Sequence, residues 1–222
     1  GIGITPGKEF WMPESGEDEF QLVFPPVSGN AESVDFAEGE KVENGFNIWG
    51  IQLKGKKLPE LLLPKEAVVH QADASTELPE PVIQYGKATL KGKLLDFRPN
   101  MSMPATLVLW ENIKGDLSEV VLDVQPDGSF TKEVTLGGTT PCSIYIGSGS
   151  TVQFFMEPGK TTEVYANLRE MSRRGSKFHS QEKPYGEAAY INGPLEVVAQ
   201  ELNRNLGDVN TQEKLYKDIA VL

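Results

Sequence analysis

The chain has 222 residues, 39% of them hydrophobic and 24% charged, so it can bury a core without staples and is neither disordered nor membrane-like in composition. One cysteine, Cys142, and two histidines, His70 and His179, exclude a disulfide framework, a CxxC pair and a Cys/His zinc site within this chain. The formal net charge of −11 argues against nucleic acid and anionic lipid as partners, because phosphate binding needs clustered Lys and Arg.

Glycine and proline make up about one residue in six, against roughly 12% ordinarily, which predicts many turns and a β-rich fold. No apolar run of about 18 residues predicts a transmembrane helix. The opening Gly1-Ile2-Gly3-Ile4-Thr5-Pro6-Gly7 has neither a basic n-region nor an apolar core, and reads as a mature or trimmed start.

Residues 1–53 read as a partial β-module. Phe20–Phe24 alternates and stops at Pro25-Pro26, where a central ladder cannot continue. Val34-Asp35-Phe36 is a second short strand. Phe46–Leu53 is a third, and its two halves favour opposite faces, so a bulge is expected near Gly50. Residues 54–81 read as a linker, with a basic knot at Lys54–Lys57 and an extended Leu78-Pro79-Glu80-Pro81.

Residues 82–168 carry stronger β character. Seven strands are expected: Ala88–Leu94, Thr106–Trp110, Val120–Val124, Ser129–Thr135, Ser143–Ile146, Val152–Met156 and Thr162–Ala166. Gln125-Pro126-Asp127-Gly128 is a turn with a mechanism: proline fixes φ, and Asp-Gly supplies a positive φ. Residues 169–222 switch period and read as a helical connector. Pro194 is placed in a first helical turn, with Leu195, Val198, Ala199, Leu202 and Leu206 on one face and Gly207 as the cap. Asn210 and Glu213 signal a second helix start. Leu215, Ile219 and Leu222 then form an apolar stripe that breaks off in mid-pattern, which reads as a truncation.

Chemistry is sparse. His70 and His179 read as surface or turn histidines, with no ligand-spaced partner. Cys142 reads as a small buried residue at a strand start, since no nearby base is visible to make it a nucleophile. Pairs such as Glu14/Asp18 or Glu38/Glu40 read as solvated loops. Gly147-Ser148-Gly149-Ser150 opens no helix and predicts no phosphate cradle, and Gly137-Gly138-Thr139-Thr140 is likewise a turn. Trp49 and Trp110 sit in apolar strand patterns and are expected in the core. Trp11 is the better candidate for an exposed ring.

Several segments in order resemble a family. Phe20–Pro26, Val34–Gly39 and Phe46–Leu53 look like an N-terminal module of TlpA/redoxin-type, thioredoxin-like thiol-disulfide oxidoreductases of Gram-negative envelopes. Tyr85–Leu95, Pro126–Phe130 and Met156–Lys160 resemble the β-domain that follows in them. Tyr190–Leu195 through Glu201-Leu202-Asn203 resembles the helical connector before their thioredoxin domain. That catalytic domain and its CxxC have no counterpart here, so no redox residue carries over.

The expected fold is therefore mainly β: a transthyretin/immunoglobulin-like sandwich of about seven strands, a smaller β-module and a C-terminal helical segment. The resemblance implies a periplasmic or envelope location and a non-catalytic accessory role, positioning or pairing a thioredoxin-like domain absent from this chain, another protein or a second copy. No cofactor and no metal are expected. Trp11, Leu215, Ile219 and Leu222 are the candidate interaction residues, the last three docking on the sandwich or on the absent domain. The rival expectation is a carbohydrate- or peptide-binding β-sandwich module, a function that follows from fold analogy alone.

Overall fold

Along residues 86–95 the side chains of Ala88, Leu90 and Leu94 are buried, while Lys87, Lys91 and Lys93 alternate to the other side. That period of two makes a strand with one apolar and one charged face. The same alternation recurs down the chain and assembles a two-sheet sandwich. A computed structural model describes residues 9, 11, 13–16, 23–37, 47–53, 60–71, 77–80, 82–98, 104–111, 115–147, 150–175 and 186–204. Among these the elements are β1 (Ser33–Ala37), β2 (Asn47–Gln52), β3 (Gly86–Leu95), β4 (Ala105–Glu111), β5 (Asp116–Leu122), β6 (Ser129–Leu136), β7 (Thr140–Ile146), β8 (Ser150–Met156), β9 (Thr161–Asn167), α1 (Leu168–Gly175), β10 (Ala189–Asn192) and α2 (Glu196–Asn203).

The chain divides into two units, Gly1–Phe36 with Ile48–Leu58, and Ala37–Asn47 with Pro59–Leu222. In the first, Phe24 and Phe36 meet edge to face with ring centroids 5.9 Å apart. Strands β1 and β2 pair with each other. Gly50 has φ 69 and donates its amide to Asp35 Oδ1 at 2.8 Å, so the strand is irregular where the bulge was expected. The expected strand at Phe20–Phe24 falls mostly outside the described residues, and Val23 and Phe24 lie outside any strand.

The second unit holds two four-stranded sheets, β10-β9-β3-β6 and β5-β4-β7-β8. Their inner faces contribute Leu90, Leu94, Val164 and Leu136 from one side and Leu107, Ile144, Val152, Phe154 and Met156 from the other, all fully buried. β3 is central: it runs antiparallel to β6 and parallel to β9.

The turn before β6 forms as the residues predict. Gly128 has φ 85 and donates to Gln125 O at 2.8 Å. Asp127 Oδ1 accepts from the Ser129 hydroxyl at 2.7 Å and the Ser129 amide at 3.0 Å, and Lys93 Nζ reaches Oδ2 at 3.2 Å. Those bonds, the Ser129 hydroxyl first, pull the Asp127 carboxyl down from 3.8 to about 2. The folded value lies below the unfolded one, so this turn contributes its stabilisation above pH 3.8 and loses it as pH falls through about 2. In Ser129→Ala an NMR titration is expected to show the Asp127 midpoint moved upward; an unmoved midpoint would rule out the hydroxyl as the main cause.

Several expectations need correction. Residues 189–192 form a strand, antiparallel to β9, where a helical connector was expected. Pro194 precedes the helix instead of occupying its first turn: Leu195 is the N-cap in a left-handed conformation at φ 52, and α2 starts at Glu196. β5 begins at Asp116 and stops at Leu122, because it pairs with the whole of β4 from Ala105 to Glu111. α1 follows directly from β9, with Leu168 buried. Asn167 Oδ1 accepts the Glu170 amide at 3.2 Å as a cap, and Arg169 makes a two-pronged bond to Asp96 at 3.1 Å on each arm.

α2 closes one side of the sandwich. Gln200 is fully buried and donates from Nε2 to Ala189 O on β10 at 2.9 Å and to Glu187 Oε2 at 3.2 Å. One turn later, Asn203 bonds the free edge of β8: its Nδ2 donates to Gln153 O at 2.6 Å, and its Oδ1 accepts the Gln153 amide at 2.9 Å. The side-chain amide thus stands in for a neighbouring strand's peptide and caps an edge that would otherwise template pairing.

Candidate interaction surface

The two outer faces of the sandwich differ in kind. On β10-β9-β3-β6 the outward positions include charged side chains that pair with one another. Lys87 meets Glu133 at 2.5 Å, and Lys91 meets Glu163 at 2.7 Å. Lys91, then Asn192 and Tyr165, hold the Glu163 carboxyl below the ordinary glutamate range, against the opposing effect of partial burial. Residues of the expected linker lie against this end. Asn192 Nδ2 donates to Glu66 O at 2.8 Å; His70 places Nε2 2.9 Å from Asn192 Oδ1 and Nδ1 3.3 Å from Glu196 Oε1. His70 is therefore not a free surface histidine: its ring ties the segment before β3 to β10 and the start of α2. His179 lies outside the described residues.

On β5-β4-β7-β8 the outward positions are almost uncharged. Register sets Trp110 opposite Leu117, Val108 opposite Glu119 and Ser143, and Thr106 opposite Val121 and Tyr145. Across β8 the rows end on Thr151 and Gln153. Glu119 is the sole charged side chain among these outward strand positions. Trp110 is 45% exposed, Leu117 43%, Val121 71% and Tyr145 44%, while Val108 and Ser143 in the middle row are buried. Single exposed apolar side chains are ordinary; here two exposed pairs, Trp110 with Leu117 and Val121 with Tyr145, share one sheet face on either side of the row of Val108, Glu119 and Ser143, which makes the face a candidate interaction surface.

Trp110 is a correction to the sequence reading. Leu107 and Leu109 point inward, so their neighbour must point outward, and its ring lies over the sheet instead of in the core. The signal was present in the alternation, but the apolar run Thr106–Trp110 hid it. Trp11, in the first unit, is 82% exposed, as a solvent-facing ring should be. Trp49 lies in β2, and its side chain is outside what is described. Leu215, Ile219 and Leu222 also lie outside the described residues.

Cys142 is buried in β7, directly across from Phe154 on β8. Burial pushes its thiol up to about 12, so it stays protonated at neutral pH and is inert as a nucleophile. Among the described residues no group of three or more His, Cys, Asp or Glu side chains is arranged to hold a metal ion. No helix among them is long and apolar enough to cross a membrane.

No family model, curated protein or solved structure matches the chain. The candidate surface therefore rests on its own geometry and chemistry.

Proposed function

We propose that this chain is a non-catalytic interaction region that positions a partner domain. The observation that carries the reading is the neutral face of Trp110, Leu117, Val121 and Tyr145 on a chain of net charge −11. Desolvating such a face costs little, whereas the charged face opposite would have to break its ion pairs to be covered. The protonated, buried Cys142 supports the non-catalytic part. The order of segments resembling TlpA/redoxin-type oxidoreductases supplies the partner class, a thioredoxin-like domain, and the Gram-negative envelope as the compartment. In an insulin-reduction assay the chain is expected to add nothing to the rate with dithiothreitol alone. Turnover above that background would overturn the reading.

A second reading is favoured by the exposed rings of Trp11, Trp110 and Tyr145. Aromatic faces of this kind stack on sugar rings or grip peptide side chains, so a carbohydrate- or peptide-binding module is the alternative. Glycan-array binding by the parent chain, lost on Trp11→Ala or Trp110→Ala, would select it.

A further inference from the structure

Each four-stranded sheet ends on two edge strands, β10 and β6 in one and β5 and β8 in the other. An open edge presents a row of peptide N–H and C=O groups that pair with any extended chain, so folded proteins defend their edges. α2 defends two of them. Gln200 donates to Ala189 O on β10 at 2.9 Å, and Asn203 bonds both the carbonyl and the amide of Gln153 on β8. β6 carries a charge instead. Register places Lys132 beside Leu90, in the row of Phe130 and Leu136 that faces the core, so a strand added there would close over its ammonium.

β5 has none of these devices. Among the described residues its one strand neighbour is β4, and its seven residues hold no proline and no glycine. Past Asp116 at its start, the inner row of Ser118, Val120 and Leu122 carries no charge. The outward row is Leu117, Glu119 and Val121, all exposed, and it borders the neutral face. Glu119 is the one charge in that row, and among the described residues nothing is bonded to its carboxylate.

We propose that β5 takes an extended segment of a partner protein as a fifth strand of its sheet. The segment carries a lysine or arginine beside Glu119, and apolar side chains two residues to either side, beside Leu117 and Val121. Its peptide groups supply affinity through the open ladder, and its alternate side chains supply selectivity. Charge selects this occupant over a second copy. Pairing β5 with itself along its whole length sets Glu119 against its own symmetry mate, and like charges directly opposite are destabilising. It also joins two chains of net charge −11, whereas a basic segment is attracted on both counts. This rests on the reading of the neutral face as an interaction surface and names the chemistry of what reaches it.

The test is an NMR titration of the full chain with the capped heptapeptide TVTKTVT, its acidic counterpart TVTETVT, and two N-methylated forms of the first, each blocking one alternate set of amides. TVTKTVT is expected to shift the β5 amides and to bind about threefold or more tighter than TVTETVT. Glu119→Lys is expected to reverse that order; Glu119 is exposed, so the sandwich tolerates the change. One methylated form is expected to lose binding and the other to keep it, because an added strand turns every second amide toward β5. No shift in β5 with any peptide at millimolar concentration would overturn the proposal, as would an order indifferent to Glu119→Lys. So would β5 shifts that grow with chain concentration alone, since the occupant would then be a second copy. Binding that shifts Trp110 and Tyr145 but tolerates both methylated forms would overturn the added strand while leaving the neutral face as an interaction surface.

Discussion

Gly92→Ala is expected to be the most damaging single-methyl addition in the sandwich. Gly92 sits in the middle of β3, paired with Phe130 on β6 and Val164 on β9. A Cβ there would lie 1.9 Å from Val164 O, 2.8 Å from Val164 C and 2.9 Å from the end of the Phe130 ring. The first two atoms are backbone, so no rotamer change relieves the clash. Either β9 moves away from β3, breaking ladder bonds, or β3 buckles; because the clash is with backbone, the expected cost is about 4 kcal/mol, above the roughly 1–3 kcal/mol usual for an overpacked core. Phe130 can swing aside, but the peptide cannot. The sole cysteine supplies the measurement. Cys142 is buried and unreactive in the folded chain, so its labelling by a thiol reagent follows opening of the sandwich. A loss of about 4 kcal/mol should speed labelling by roughly a thousandfold at pH 8. Labelling within threefold of the parent would show that the strands separate there at little cost.

Phe154→Ala is expected to cost about 3–5 kcal/mol, by a different route. Phe154 is the largest fully buried side chain in the sandwich, on β8 directly across from Cys142. Truncation leaves a cavity walled by two hydrogen-bonded sheets, which cannot close in without bending. Phe154→Leu retains most of the volume and should cost about 1.5 kcal/mol or less. A lower urea midpoint for alanine than for leucine, with the slope unchanged, checks this; equal midpoints would mean that the site collapses freely. The thiol of Cys142 should also become more accessible in the alanine variant, because the cavity opens against it.

The seven strands from β3 to β9 were legible because each carries its own inward set and its own turn. Ala88, Leu90 and Leu94 need no knowledge of their neighbours to be assigned to one face, and Pro126-Asp127-Gly128 reverses the chain by local sterics. β10 was not legible. Ala189–Asn192 is too short to show a period, and Gly193-Pro194 after it reads equally well as a helix entry. It is a strand because β9 offers an unpaired edge, a fact that resides in other residues. α1 was obscured for a similar reason. Its cap, Asn167 to Glu170, has recognisable spacing, but its hold on the fold is Arg169 to Asp96, which are distant in sequence. The neutral face was legible only in part. Trp110 belongs to an apolar run, and its outward direction follows from which of its neighbours meet the second sheet.

By itself the sequence determined that the chain is mainly β, where most strands turn, and that Cys142 is its one cysteine. These follow from period-two patterning, glycine and proline sterics and composition, all of which act over a few residues. Only the tertiary structure decided which strand pairs with which, that β3 runs parallel to β9, and that α2 seals an edge. It also decided which outer face is nearly free of charge. Lys91 and Val108 both point away from the core by the same alternation. Glu163 pairs with the first because β9 happens to lie beside β3, while Ser143 and Glu119 flank the second. Neighbours across a sheet come from far along the chain, so the character of a face is a property of pairing and cannot be read from any one strand.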